Sequence, residues 1–224
     1  MDGMSVVPDR LLALDELYLH HGAHDTFEEG HCAVEVVAWL AGEPHTDHPA
    51  CGSPVIAAFL RRWNDDLDDQ GRQQLKKVLP TVVGTAGGRE LEERRAWMAT
   101  DWLVRVHTPA WLDLAGVTES AAALRALPPL AVGFDSQDVI TSAREKAHAA
   151  RDAARAVAGD AAGDAARDAA RAAARDAARD AAWDAAGDAA WAVARAAARD
   201  ALKPTVVALQ VSALELIEQM AALR

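Results

Sequence analysis

Residues 152–200 read DAARAVAGDAAGDAARDAARAAARDAARDAAWDAAGDAAWAVARAAARD. A four-residue phrase runs through them, mostly D-A-A-R, with D-A-A-G and D-A-A-W variants. Alanine is the strongest helix former, and from Thr141 to Lys203 about half of the residues are alanine, so propensity predicts helix. The charges agree. Asp152 and Arg155, Asp164 and Arg167, Asp168 and Arg171, and Asp176 and Arg179 each set an acid three residues before a base. That spacing puts both on one helix face in the favourable polarity, for ~0.2–0.5 kcal/mol a pair. Aspartates repeated at i, i+4 take part of this back.

The period says more than the composition. A helix turns once per ~3.6 residues, so a four-residue phrase advances by about 40° per copy and its alanine stripe winds around the rod. Heptads supercoil in the opposite sense, so a regular coiled coil is excluded. The tail is expected as one solvated helix, ~95 Å long if unbroken, or as a helix folded back at Gly159, Gly163 or Gly187. Each of these glycines costs ~1 kcal/mol against alanine. Trp183 and Trp191, eight residues apart, are expected to make a small packing contact. Pro204 should end or kink the helix. After it, Val206, Leu209, Ala213, Leu216, Ile217, Met220 and Leu223 recur at helical spacing, which predicts an amphipathic closing helix. Its stripe needs a partner, the front domain or a second chain, with the front domain preferred.

Working outward, the 224 residues carry a net charge of −11, all of it before residue 141. Residues 1–140 hold 22 acids and 11 bases, and the remainder holds 12 of each. No basic face is available to neutralise phosphates, so nucleic-acid binding is excluded. No apolar run approaches ~18 residues, so no membrane span is expected. The opening MDGMSVVPDR has neither the basic nor the apolar region of a secretory signal, and a cytoplasmic location is expected. In that compartment two cysteines read as thiols or metal ligands rather than a disulfide. Abundant Ala, Arg, Asp and Gly with scarce Lys, Asn, Ile and Tyr fit a GC-rich bacterial genome.

The first 130 residues read as short helices with breaks: Asp9 to Leu19, Cys32 to Ala41, Pro54 to Asp65 with Ser53 as N-cap, Gln70 to about Val83, Glu90 to about Val106 with Trp97 and Trp102 inward, a short helix at Pro109, and Glu119 to Leu127. Nothing alternates at period two for long enough to be a strand, although PPLAVGF could pair locally. The expected architecture is all-α: a compact helical front domain (1–130), a linker (131–140), the alanine-rich tetrad-repeat helix (141–203), straight or folded back, and the amphipathic closing helix (204–224).

Possible chemistry concentrates in residues 20–51, which hold His20, His21, His24, His31, His45 and His48, both cysteines, and Asp25, Glu28, Glu29, Glu35 and Asp47. The densest piece is His45-x-x-His48-x-x-Cys51. With Cys32 as fourth ligand and Glu35 one turn on, it offers a tetrahedral zinc set of Cys32, His45, His48 and Cys51. A thiol enzyme is the other chemical reading. There Cys32, at a helix N-terminus that lowers its pKa, is the nucleophile, His45 or His48 the base, and Asp47 or Glu35 the orienting group. The plainer reading is capping and surface histidines around two buried thiols. Walker, GxSxG, HExxH and EF-hand patterns are absent.

CAVEVVAWLAGEPHTDHPACGSPVIAAFLRRWND and RAWMATDWLVRVHTPAWLDLAG resemble uncharacterised proteins of actinobacteria and their phages, which also carry alanine-rich D-A-A-R/W tails. The resemblance implies a bacterial setting and the two-part layout, and it transfers no functional residue. The sequence therefore points to a non-catalytic helical interaction or structural protein. Its expected partner is another protein or a second copy of itself, met through the tail. The alternative is a metal-dependent or thiol-dependent enzyme with its site in residues 31–51.

Overall fold

The structure is a computed structural model and describes residues 5–114, 116–131 and 182–223. It is all-α, with no strand among the described residues. The described chain divides into two compact units. One takes in the chain up to Trp102, a short return beginning at Pro129, and the chain from Gln210 onward. The other runs from Leu103 to Pro128 and includes the last helix as far as Leu209.

The first unit is organised on α2, Ala33–Leu40, which is buried at every position but Trp39. A helix apolar all round has no solvated face to offer, so it takes the centre. It packs on α1 (Pro8–Ala13), α3 (Pro54–Asp66) and α5 (Leu79–Val82). The start of α3 follows the sequence reading. Pro54 opens it and the Ser53 hydroxyl accepts from the Ile56 amide at 3.2 Å. Ile56, Leu60 and Asn64, four apart, face inward. The segment expected as one helix from Gln70 to Val83 is instead α4 (Asp69–Gln73), a 3-10 turn (Gln74–Lys77) and α5. Asp68 caps α4 on the Gly71 amide at 2.7 Å, and Pro80, which brings no N–H, falls in the first turn of α5. The first helix also stops early, at Ala13, and a 3-10 turn follows to Glu16. It is opened by Pro8 rather than capped by Asp9.

Helix α6 spans Arg89–Trp102 and packs on α3. Trp102 is buried, whereas Trp97 is only half-buried. The inward pair expected from sequence is therefore a single tryptophan, set edge-on to Phe59 and Trp63. In the second unit a π turn (Leu103–His107) leads into α7 (Thr108–Leu114), which packs on α8 (Thr118–Arg125). Leu112, Ala121 and Leu124 are enclosed there.

Helix α9 spans Ala182–Ala222, 41 residues, with Pro204 inside it. The expected stop at Pro204 does not occur, and residue 204 is not an element boundary. Proline deprives the Asp200 carbonyl of its helical donor, but Asp200 and Pro204 are both exposed, so water can take that bond and the alanine-rich turns on either side carry on. The expectation of helix over 141–181 lies outside the described residues, as do the linker at 132–140 and the end of PPLAVGF.

The last turns of α9 are anchored in the first unit. Ala213, Leu216, Ile217, Met220 and Ala221 are buried. Trp102 donates to the Ser212 hydroxyl at 3.0 Å, and Gln210 donates to the Gly71 carbonyl. Arg95, fully enclosed, caps the C-terminus of α9 by donating to the Met220 and Leu223 carbonyls at 3.0 Å each. By length and composition Asp200–Ala222 is also apolar enough to cross a membrane, where the sequence reading had found no such run.

Candidate functional site: a histidine cluster on a buried carboxylate

The candidate residues lie in the first unit, on the irregular segment 17–32, on α2, and on the turn before α3. Glu35 organises them. It stands at the third position of α2, with Cys32 as N-cap, and its side chain is 1% exposed. Its carboxylate accepts from the Cys32 amide at 2.7 Å, which is the reciprocal half of a capping box. It also accepts from the His24 amide at 2.8 Å and pairs with His24 Nδ1 at 3.0 Å. His45 Nε2 stands 3.7 Å away and donates to the His24 carbonyl at 2.9 Å. Burial alone would push the Glu35 carboxyl up. The two amides and the His24 imidazole that donate to it outweigh burial together and leave it below the usual range.

Around this carboxylate the rings form one aromatic layer. Phe27 stacks on His31 at 4.2 Å between centroids and on Trp39 at 5.5 Å, and meets His45 edge-on. Arg10 lies over the outer face of Trp39 at 5.4 Å. His20 meets His31 and His24 edge-on at 5.6 and 5.7 Å. Gly30, at φ +150°, makes the approach possible, because a Cβ there would stand 2.7 Å from His24 Nε2. His31 is 8% exposed. Its Nδ1 reaches the Phe27 carbonyl at 3.3 Å, and its buried Nε2 has no partner. Burial lowers its pKa below the ordinary imidazole value. The Phe27 carbonyl opposes that shift, His20 and His24 add to it, and Glu35 opposes it.

The four residues read as a zinc set are held on separate partners. Cys32 caps α2 and is buried. Cys51 is buried in a turn whose Ala50 and Cys51 amides donate to Glu43 at 2.9 and 2.6 Å. His45 belongs to the Glu35 cluster. His48 is exposed and pairs with its neighbour Asp47 at 2.6 Å. Among the described residues no three His, Cys, Asp or Glu side chains are placed to hold a metal ion.

The helix N-terminus does not activate Cys32. Burial, joined by the charge of Glu35, pushes its thiol up to about 12. Burial and Glu43 do the same for Cys51, also to about 12. Such a shift runs opposite to the lowered pKa of a catalytic cysteine.

Comparison with protein-family models, with curated proteins and with solved structures returns no match for this chain.

Sequence reasoning named Glu35 as an orienting group and missed that it is the hub. The signal was present as Cys32-x-x-Glu35 before an apolar run, a capping-box spacing with cysteine in the first place. The tethers from further along the chain were not anticipated. Asn64 donates to the His20 carbonyl at 2.9 Å, the Gly22 amide donates to Asp65 at 2.9 Å, and Gln73 both accepts from and donates to the Leu19 backbone.

Proposed function

We propose that the chain is a non-catalytic helical interaction protein that works through α9. The observation that carries this reading is the set of exposed apolar residues on a 41-residue helix whose last turns are held in the first unit. Ala213, Ile217 and Met220 are enclosed, whereas Val206, Val207 and Val211 are 37–53% exposed. Valines already ordered on a helix meet a partner without the ordering cost of a flexible segment. The two cysteines support the same reading, because both are buried and their thiols are pushed up to about 12.

The partner is another protein chain or a second copy of this one. Sedimentation of the full chain from about 1 to 100 µM tests the second case. The expected result is a concentration-dependent dimer that Val207→Glu/Val211→Glu converts to monomer. A chain monomeric throughout this range overturns self-association, and unchanged association in the double variant removes this face of α9 from the account.

A further inference from the structure

We propose that residues 20–31 form an acid-weakened latch, held most tightly while His31 is neutral. The two ring nitrogens of His31 differ. Nδ1 faces the Phe27 carbonyl, so in the neutral ring Nδ1 carries the hydrogen and donates. Nε2 is then a bare lone pair. It is buried and meets no donor, which a neutral ring tolerates at modest cost. A second proton on Nε2 would place an N–H of a cation where no acceptor waits, and that costs far more. The stacked rings of Phe27 and Trp39 supply no hydration to offset it.

The charged and titratable groups around His31 do not repair this. Along the segment stand the His20 and His24 rings, edge-on to one another, with Tyr18 edge-on to His20. Asp25, Glu28 and Glu29 lie on the same segment, exposed to water. From α2 the one carboxylate is Glu35, already committed to the Cys32 and His24 amides and the His24 ring, and the Cys32 thiol is uncharged. From the turn before α3 comes His45, whose Nε2 donates to the His24 carbonyl and whose buried Nδ1 also has no partner. From α1 Arg10 lies over Trp39, and from the 3-10 turn Lys76 donates to the Leu17 carbonyl at 3.0 Å; both are cations. From α3 Asp65 is bound to the Gly22 amide. A proton on His31 therefore adds a cation beside a buried carboxylate that is already used.

Leu19 and Cys32 are core residues and stay. Between them the hold on the rest of the unit consists of side-chain bonds to the backbone from Asn64, Asp65, Glu35 and His45, together with the stack of Phe27 on Trp39. Release uncovers Phe27, the face of Trp39 and the start of α2. The sign follows from linkage. A histidine whose pKa is lowered on docking takes up more protons when released. The latch is therefore fully held above the free imidazole value of 6.5 and weakens as pH falls below it. At pH 5.5 one such ring shifts the opening equilibrium by up to about tenfold.

Hydrogen exchange read by mass spectrometry on the full chain tests this, with rates corrected for intrinsic exchange at each pH. Between pH 7.5 and 5.5, amides of residues 20–31 are expected to lose up to about tenfold protection while those of α3 hold. In His31→Phe, which keeps the stack on Phe27 and cannot charge, the loss should vanish. His31→Gln gives the same reading should the phenylalanine variant fail to fold. Unchanged wild-type protection, or an equal loss in the variant that folds, overturns the proposal.

Discussion

Replacing Glu35 by glutamine changes one atom and should cost about 3 kcal/mol. The number follows from the donors around the carboxylate. Oε1 accepts the His24 amide and Oε2 accepts the Cys32 amide, with His24 Nδ1 also on Oε2. Glutamine has a single acceptor oxygen and an NH2 group, so in either orientation one backbone N–H faces another donor. An orphaned buried donor costs ~1–3 kcal/mol, and the surviving bonds lose the ~1 kcal/mol that ionic character adds. Urea unfolding followed by tryptophan fluorescence at pH 7 measures the change directly, provided the slope is unaltered. Below the free carboxyl value of 4.5 the wild type should lose its advantage. A carboxyl whose pKa is lowered on folding stabilises above that value and ceases to as pH falls through its folded pKa. A loss under ~0.5 kcal/mol at pH 7, within the range of ordinary surface changes, would refute Glu35 as the hub.

Three further outcomes follow from the same structure. Gly30→Ala places a Cβ against the His24 ring at positive φ, and should cost ~1–3 kcal/mol and loosen exchange protection in residues 20–31. Arg95→Met removes the donor that serves one Glu92 oxygen and the Thr85 and Met220 carbonyls, while Ser53 still donates to the other Glu92 oxygen. It should cost ~3–5 kcal/mol by chemical denaturation. Pro204→Ala restores the missing bond to Asp200 and should raise helical circular dichroism and stability, the latter by ~1 kcal/mol because water already serves the Asp200 carbonyl. A fall in either would show that the proline fits a bend that the helix needs.

The legible parts of the fold were those fixed by neighbours in sequence. Ser53 before Pro54 announces a helix start whatever it packs against, and the apolar run after Cys32 announces a buried helix ended near Gly42. Two readings meet the opposite situation. Of the end or kink expected at Pro204, the end does not occur, because both that proline and Asp200 face water and the lost bond is cheap. Cys32 was read by its position at a helix N-terminus, but burial and the Glu35 charge reverse the effect of that position, and neither is written near residue 32 as a pattern. The site was half legible for the same reason. The histidines were conspicuous by count, yet His24, His31 and His45 belong with Glu35 and Phe27, while His48 and Cys51 do not. Asn64, Asp65 and Gln73, which hold the segment in place, carry no mark that ties them to it.

Under the proposed function Cys32 and Cys51 are buried structural thiols. Alkylation of the native protein at pH 7.5, read peptide by peptide, together with metal analysis of the same sample, tests this most directly. The expected result is Cys32 and Cys51 unmodified until denaturant is added, with no stoichiometric metal. Rapid labelling of Cys32 in the folded protein, or near-stoichiometric zinc that Cys51→Ala removes, would contradict it.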